Sequence, residues 1–182
     1  PWEMLNAEFQ LNGGIDFLSS ANVLGIYGNV DLESGFDFDV NGNAGPLAFK
    51  GSATQTISTF DTEYPAEVQI EKTNATDVVQ LSTSATFGST FAIKEGVFRI
   101  SNGANLLAKD NITVESGGTL EIEPGGVLRL GNNKTLTVQV GGTLKIVGTS
   151  GNVPQITGEL STTGYDVVID GTLEARYYQV SN

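Results

Sequence analysis

Few residues in this chain have the types and the spacing that chemistry requires. The string Asp37-Phe38-Asp39-Val40-Asn41-Gly42 sets oxygen ligands at alternate positions ahead of a glycine turn, the first half of a loop that would take calcium. Such a loop needs a bidentate Glu at its twelfth position, where Ala48 stands. Phe36, Phe38 and Val40 also alternate as a strand interior, which by itself accounts for Asp37, Asp39 and Asn41 as its outer face and the start of a turn. Calcium at Asp37, Asp39 and Asn41 is therefore the one metal candidate, and the strand reading competes with it.

Carbohydrate cleavage would need two carboxylates facing each other across a groove, or a Lys or Arg base beside an acidic sugar. The pairs Asp37/Asp39, Glu121/Glu123 and Asp166/Asp170 are the available acids. None is accompanied by a base and by aromatic residues. His and Cys are absent, which removes the commonest general base, the usual triad partners and every thiolate ligand. The expectation is a protein that is not an enzyme and carries no cofactor other than that calcium. Tyr165, Arg176, Tyr177 and Tyr178 are the candidate ligand-binding group, with flat faces for a sugar or a partner surface, against the alternative that they pack on the end of the fold. Asn74, Asn111 and Asn133 begin Asn-x-Thr triplets, glycan acceptors only in a eukaryotic secretory route.

Charge narrows the partners. The 21 acidic and 9 basic residues leave a net charge of −12, which opposes nucleic acid and anionic membranes. No apolar run reaches the roughly 18 residues of a membrane span. Charged residues are only 16% of the chain and Gly supplies 23 positions, a composition that suits a β repeat protein with Thr, Ser and Asn on its surface.

The elements that position these residues are announced between Asn111 and Gly148. An apolar-x-apolar unit returns every eight residues there, at Ile112/Val114, Leu120/Ile122, Leu128/Leu130, Leu136/Val138 and Leu144/Ile146. Each is a short strand with one buried face, separated by Ser116-Gly117-Gly118, Pro124-Gly125-Gly126, Asn132-Asn133 and Gly141-Gly142 corners. Two longer series share one pitch. One runs Phe98/Ile100, Leu120/Ile122, Leu144/Ile146, Val167/Ile169; the other runs Leu24/Ile26, Leu47/Phe49, Val68/Ile70, Phe91/Ile93, Ile112/Val114, Leu136/Val138.

Three short strands per period of 22 to 24 residues predict an all-β, right-handed parallel β-helix, a solenoid of about eight coils. The hand is taken from the usual sense of parallel crossovers. A single domain spans 1–182, with 1–13 as an N-terminal cap or irregular lead-in, and it reads as a piece of a longer chain. Stacking in register predicts a ladder of Arg99, Glu121 and Lys145, and places Lys134 over Asp110.

The segment Phe49-Lys50-Gly51-Ser52-Ala53-Thr54-Gln55-Thr56-Ile57 has the form F-x-G-x-x-x-Q-x-I, and is followed by Phe60, the strand Glu67–Glu71, and Thr90–Ala108. Over residues 45–148 this text resembles the repetitive β-helical regions of large secreted surface proteins of Bacteroidota. The resemblance implies export by the type IX system and a place outside the cell or on its surface. The expected function is a non-catalytic scaffold or adhesin-like stalk. Its partners would be other surface or secretion-system proteins, or polysaccharide. The alternative is a polysaccharide-binding or polysaccharide-degrading β-helix.

Overall fold

Short strands ending in glycine or asparagine cannot each bury a face alone, so the chain winds and stacks them. The computed structural model describes residues 2–4, 23–32, 44–160 and 164–181, and the calcium candidates Asp37, Asp39 and Asn41 lie outside these. Within them the fold is an all-β parallel solenoid with three faces per turn.

Strands β1 (Trp2–Met4) and β2 (Leu24–Ile26) open the first face, and β3 (Val30–Leu32) opens the second. Six complete turns follow. The first is β4 (Leu47–Gly51) and β5 (Gln55–Tyr64), whose two ends serve the second and third faces. Next come β6 (Val68–Lys72), β7 (Val78–Leu81) and β8 (Ser84–Phe87). In the third turn β9 (Phe91–Ile100) bends from the first face into the second, and β10 (Asn105–Ala108) makes the third. The fourth holds β11 (Ile112–Val114), β12 (Gly118–Ile122) and β13 (Val127–Leu130). The fifth holds β14 (Thr135–Val138), β15 (Thr143–Val147) and β16 (Gln155–Gly158), and the sixth β17 (Asp166–Ile169), β18 (Thr172–Arg176) and β19 (Gln179–Ser181).

Every strand pairing is parallel, and the second apolar series is reproduced residue for residue. Leu24, Leu47, Val68, Phe91, Ile112 and Leu136 stack in one row, and Ile26, Phe49, Ile70, Ile93, Val114 and Val138 in the next. The first series holds only as far as Leu144. Its fourth member is Leu173, 29 residues on, while Val167 and Ile169 extend the other series beneath Leu136 and Val138. The cause is a long fifth turn of 31 residues from Leu136 to Val167, swollen at the corner after β15 and again after β16. Six complete turns therefore replace the eight coils expected from a uniform pitch, although the first face carries strands from all of β1, β2, β4, β6, β9, β11, β14 and β17. Of the expected cap at 1–13, Trp2–Met4 is a strand in register with Leu24–Ile26, and residues 5–13 lie outside the described part.

Inside the coil the inward rows make one continuous apolar core from Leu24 to Ile156. Burying each Leu, Ile or Phe stabilises by roughly 1.5–3 kcal/mol. Phe91 is the hinge of an aromatic cluster, packing edge-on against Phe87 at 5.1 Å and Phe98 at 4.8 Å between ring centroids. At the corners the sequence's turn residues are needed for their backbone: Gly117, Gly125 and Gly141 have φ of 90°, 79° and 84°, and Asn133 has 56°.

Candidate functional site

Tyr165, Arg176, Tyr177 and Tyr178 all fall in or beside the sixth turn, so the fold brings the ligand-binding candidates to one end. They do not form one surface of equals. Tyr165 is half-buried, its hydroxyl lying 3.0 Å from Ile156 O and 3.1 Å from Ser181 O, so it ties the fifth turn to the sixth. Burial pushes its phenol pKa up, against the hydrogen bond at Ser181. Tyr177 and Tyr178 are 54% and 48% exposed, and the Arg176 guanidinium sits 5.4 Å from the Tyr177 ring centre. Tyr177 also carries φ 49°, a left-handed residue that turns its ring outward at the end of β18. Tyr177 and Tyr178 are the part of the group available to a ligand. Beside them, Tyr165, Val167, Val180 and Ser181 line an open cavity of about 360 Å³.

Charged residues on the flanks are engaged with one another. Glu121 accepts Arg99 Nε at 2.7 Å from the turn before and pairs with Lys145 Nζ at 2.6 Å from the turn after, the ladder expected from stacking. Glu123 adds a contact to Arg99 at 3.4 Å. Lys134 meets Asp110 at 2.9 Å. A second ladder was not anticipated: Glu71 lies between Lys50 and Lys94. Burial raises the carboxyl of Glu121, but hydrogen bonds from Lys145 and Arg99 outweigh it and hold the group below its ordinary pKa. Glu71 is lowered in the same way by Lys50 and Lys94.

These ladders decide what the acid pairs can do. Glu121 and Glu123 share Arg99, so they are ion-paired carboxylates two residues apart at the end of β12, and they do not face each other across a groove as a glycosidase's would. Asp166 and Asp170 stand exposed at the start and just beyond the end of β17. Among the described residues no group of three or more His, Cys, Asp or Glu is placed to hold a metal, and no helix is long and apolar enough to cross a membrane. Of the Asn-x-Thr triplets, Asn74 is bonded to Asp77 Oδ2, and Asn111 Oδ1 accepts Thr135 N–H from the following turn.

Sequence reasoning missed a buried ammonium. Lys72, 5% exposed, donates to Ala53 O at 2.7 Å, Lys50 O at 3.1 Å and Gln55 Oε1 at 2.7 Å. Gln55, itself buried, passes its amide on to Ile26 O at 2.9 Å and Gly28 O at 2.8 Å. The pair plugs the corner between the first two faces across three turns, satisfying carbonyls that the bend takes out of the ladders. Burial lowers the Lys72 pKa, with Asp77 opposing. Only the Gln of the F-x-G-x-x-x-Q-x-I string hinted at it.

Comparison with family models, with curated proteins and with solved structures finds no match. The function has to be read from the geometry.

Proposed function

We propose that this chain is a rigid β-solenoid rod working as a non-catalytic scaffold or adhesin-like stalk outside the cell or on its surface. The observation that carries this reading is the way the flank charges are used. Arg99, Glu121 and Lys145, Lys50, Glu71 and Lys94, and Lys134 with Asp110 each bind a neighbour one turn away, so they brace the stack. A first face of eight strands at about 4.8 Å spacing gives a stiff element roughly 34 Å long. The likeness of residues 45–148 to Bacteroidota surface β-helices supports export by the type IX system, with surface or secretion-system proteins as partners. The net charge of −12 speaks against nucleic acid.

Exposed Tyr177 and Tyr178 beside Arg176 favour a second reading, in which the end of the rod binds polysaccharide by ring stacking. One experiment separates the two. The purified chain is incubated with neutral and acidic polysaccharides, with and without calcium, scoring binding and newly formed chain ends. The rod reading expects neither. Binding lost in Tyr177→Ala/Tyr178→Ala would replace it with the second reading, and turnover would overturn both non-catalytic forms.

A further inference from the structure

The corner plug brings a primary amine and a carboxamide into contact away from water. Lys72 and Gln55 are 5% and 1% exposed, and Lys72 Nζ stands 2.7 Å from Gln55 Oε1. The direction of the carboxamide is fixed. Its Nε2 lies 2.9 Å from Ile26 O and 2.8 Å from Gly28 O, which can only accept, so its oxygen has to face Lys72. The carbonyl carbon is one bond of about 1.23 Å behind that oxygen. Around Nζ stand three acceptors, Ala53 O, Lys50 O and Gln55 Oε1. An ammonium serves all three, whereas a neutral amine has two N–H bonds, enough for the two backbone carbonyls, and turns its lone pair to the carboxamide. Burial favours the neutral form, with Asp77 opposing.

We propose that Lys72 and Gln55 condense into an isopeptide bond, a cross-link that ties the first turn to the second. Nζ attacks Gln55 Cδ and the carbonyl electron pair moves onto Oε1. One proton passes from Nζ to Nε2; the carbonyl then re-forms, the Cδ–Nε2 bond breaks, and Nε2 leaves as ammonia. No oxidant, reductant or second substrate is needed. Among the described residues no carboxyl is hydrogen-bonded to either side chain, so the step has no general acid. It rests on proximity, which for well-oriented partners is worth effective molarities of about 10⁵ M or more. The bond accordingly accumulates with age instead of forming as the chain folds. It forms in a stalk and in a sugar-binding rod alike.

The test is mass spectrometry of the intact chain, sampled over weeks in mildly alkaline buffer. A growing fraction loses the mass of one ammonia. In that fraction trypsin no longer cuts after Lys72, and a further digest with a glutamate-specific protease, which cuts at Glu63 and Glu67, leaves the Gln55 and Lys72 fragments joined. Lys72→Arg keeps the cation and its donors but not the nucleophile, and yields no joined fragment. Because the joined fragment is read on the unaltered chain, the test stands even if Lys72→Arg folds poorly. Fragments that separate at every time point overturn the proposal, and so does an ammonia loss of equal size in Lys72→Arg, which would place the chemistry at another residue.

Discussion

Asn102 and Asn152 belong to the third and fifth turns, yet Asn152 Nδ2 approaches Asn102 Oδ1 to 3.4 Å across the fourth, because Gly125 between them has no side chain. Glu63 and Lys109 pair over Gly88 by the same device. A Cβ at Gly125 would run into Asn102 Oδ1 and stand 2.7 Å from Asn152 Oδ1, at φ +79°. Gly103 has a similar φ of +78° and open space around it. Gly103→Ala should therefore report backbone strain alone, about 1 kcal/mol, and Gly125→Ala about 2–3 kcal/mol. Urea denaturation of both variants measures the difference, and equal losses would show that the bridge has no structural weight.

Replacing Lys72 by Met keeps the stem and removes the ammonium. Gln55 Oε1 and two backbone carbonyls then lose their donor inside the corner, at a cost of about 2–4 kcal/mol. The urea midpoint falls with the m-value unchanged. A loss below about 0.5 kcal/mol would place Lys72 among ordinary surface charges.

Acid should loosen the stack in a defined window. Glu121, Glu71 and Asp110 are held below their ordinary values in the fold, Asp110 by Lys134 and the Asn111 N–H. A depressed carboxylate stabilises fully above the unfolded-state value, near 4.5 for Glu and 3.8 for Asp, and that stability disappears as pH falls through the lower folded-state value. The melting temperature is thus expected to hold down to pH about 5 and drop below it. Glu121→Gln should lower the neutral value and flatten the drop; an unchanged acid limb would mean that the ladder contributes nothing.

Phe91→Ala removes the ring that joins Phe87 to Phe98 and leaves a cavity in the third turn. A loss of about 3–5 kcal/mol is expected on denaturant unfolding, concentrated in the turns on either side.

Much of this fold was legible because the corners of the third and fourth turns have nearly constant length. Apolar pairs then recur at one pitch, and Leu120/Ile122 over Leu144/Ile146 can be read from GGTLEI and GGTLKI alone. Legibility failed where the corners swell. Val167 lies 23 residues after Leu144 and so imitates the pitch, although the chain has by then crossed a third face and returned to the first. An apolar-x-apolar unit carries no mark of the face it occupies. The ladder of Arg99, Glu121 and Lys145 was readable once register was fixed, whereas the Lys72–Gln55 plug joins residues on different faces and turns and has no linear signature. Tyr165 and Tyr177 look alike in sequence; only the carbonyls of Ile156 and Ser181 separate a tie from an exposed ring.

The long fifth turn carries a wider lesson. Residues 149–152, closed by the Thr149–Asn152 bridge, are exposed at the corner after β15, while Gly148 and Pro154 on either side stay hydrogen-bonded to the sixth turn and Leu128, Ile156 and Val180 still stack in one row. Growth sideways is thereby uncoupled from growth along the axis. A loop spliced at that corner would ride as a pendant on an unaltered spine, which makes this position a natural place to graft a foreign epitope.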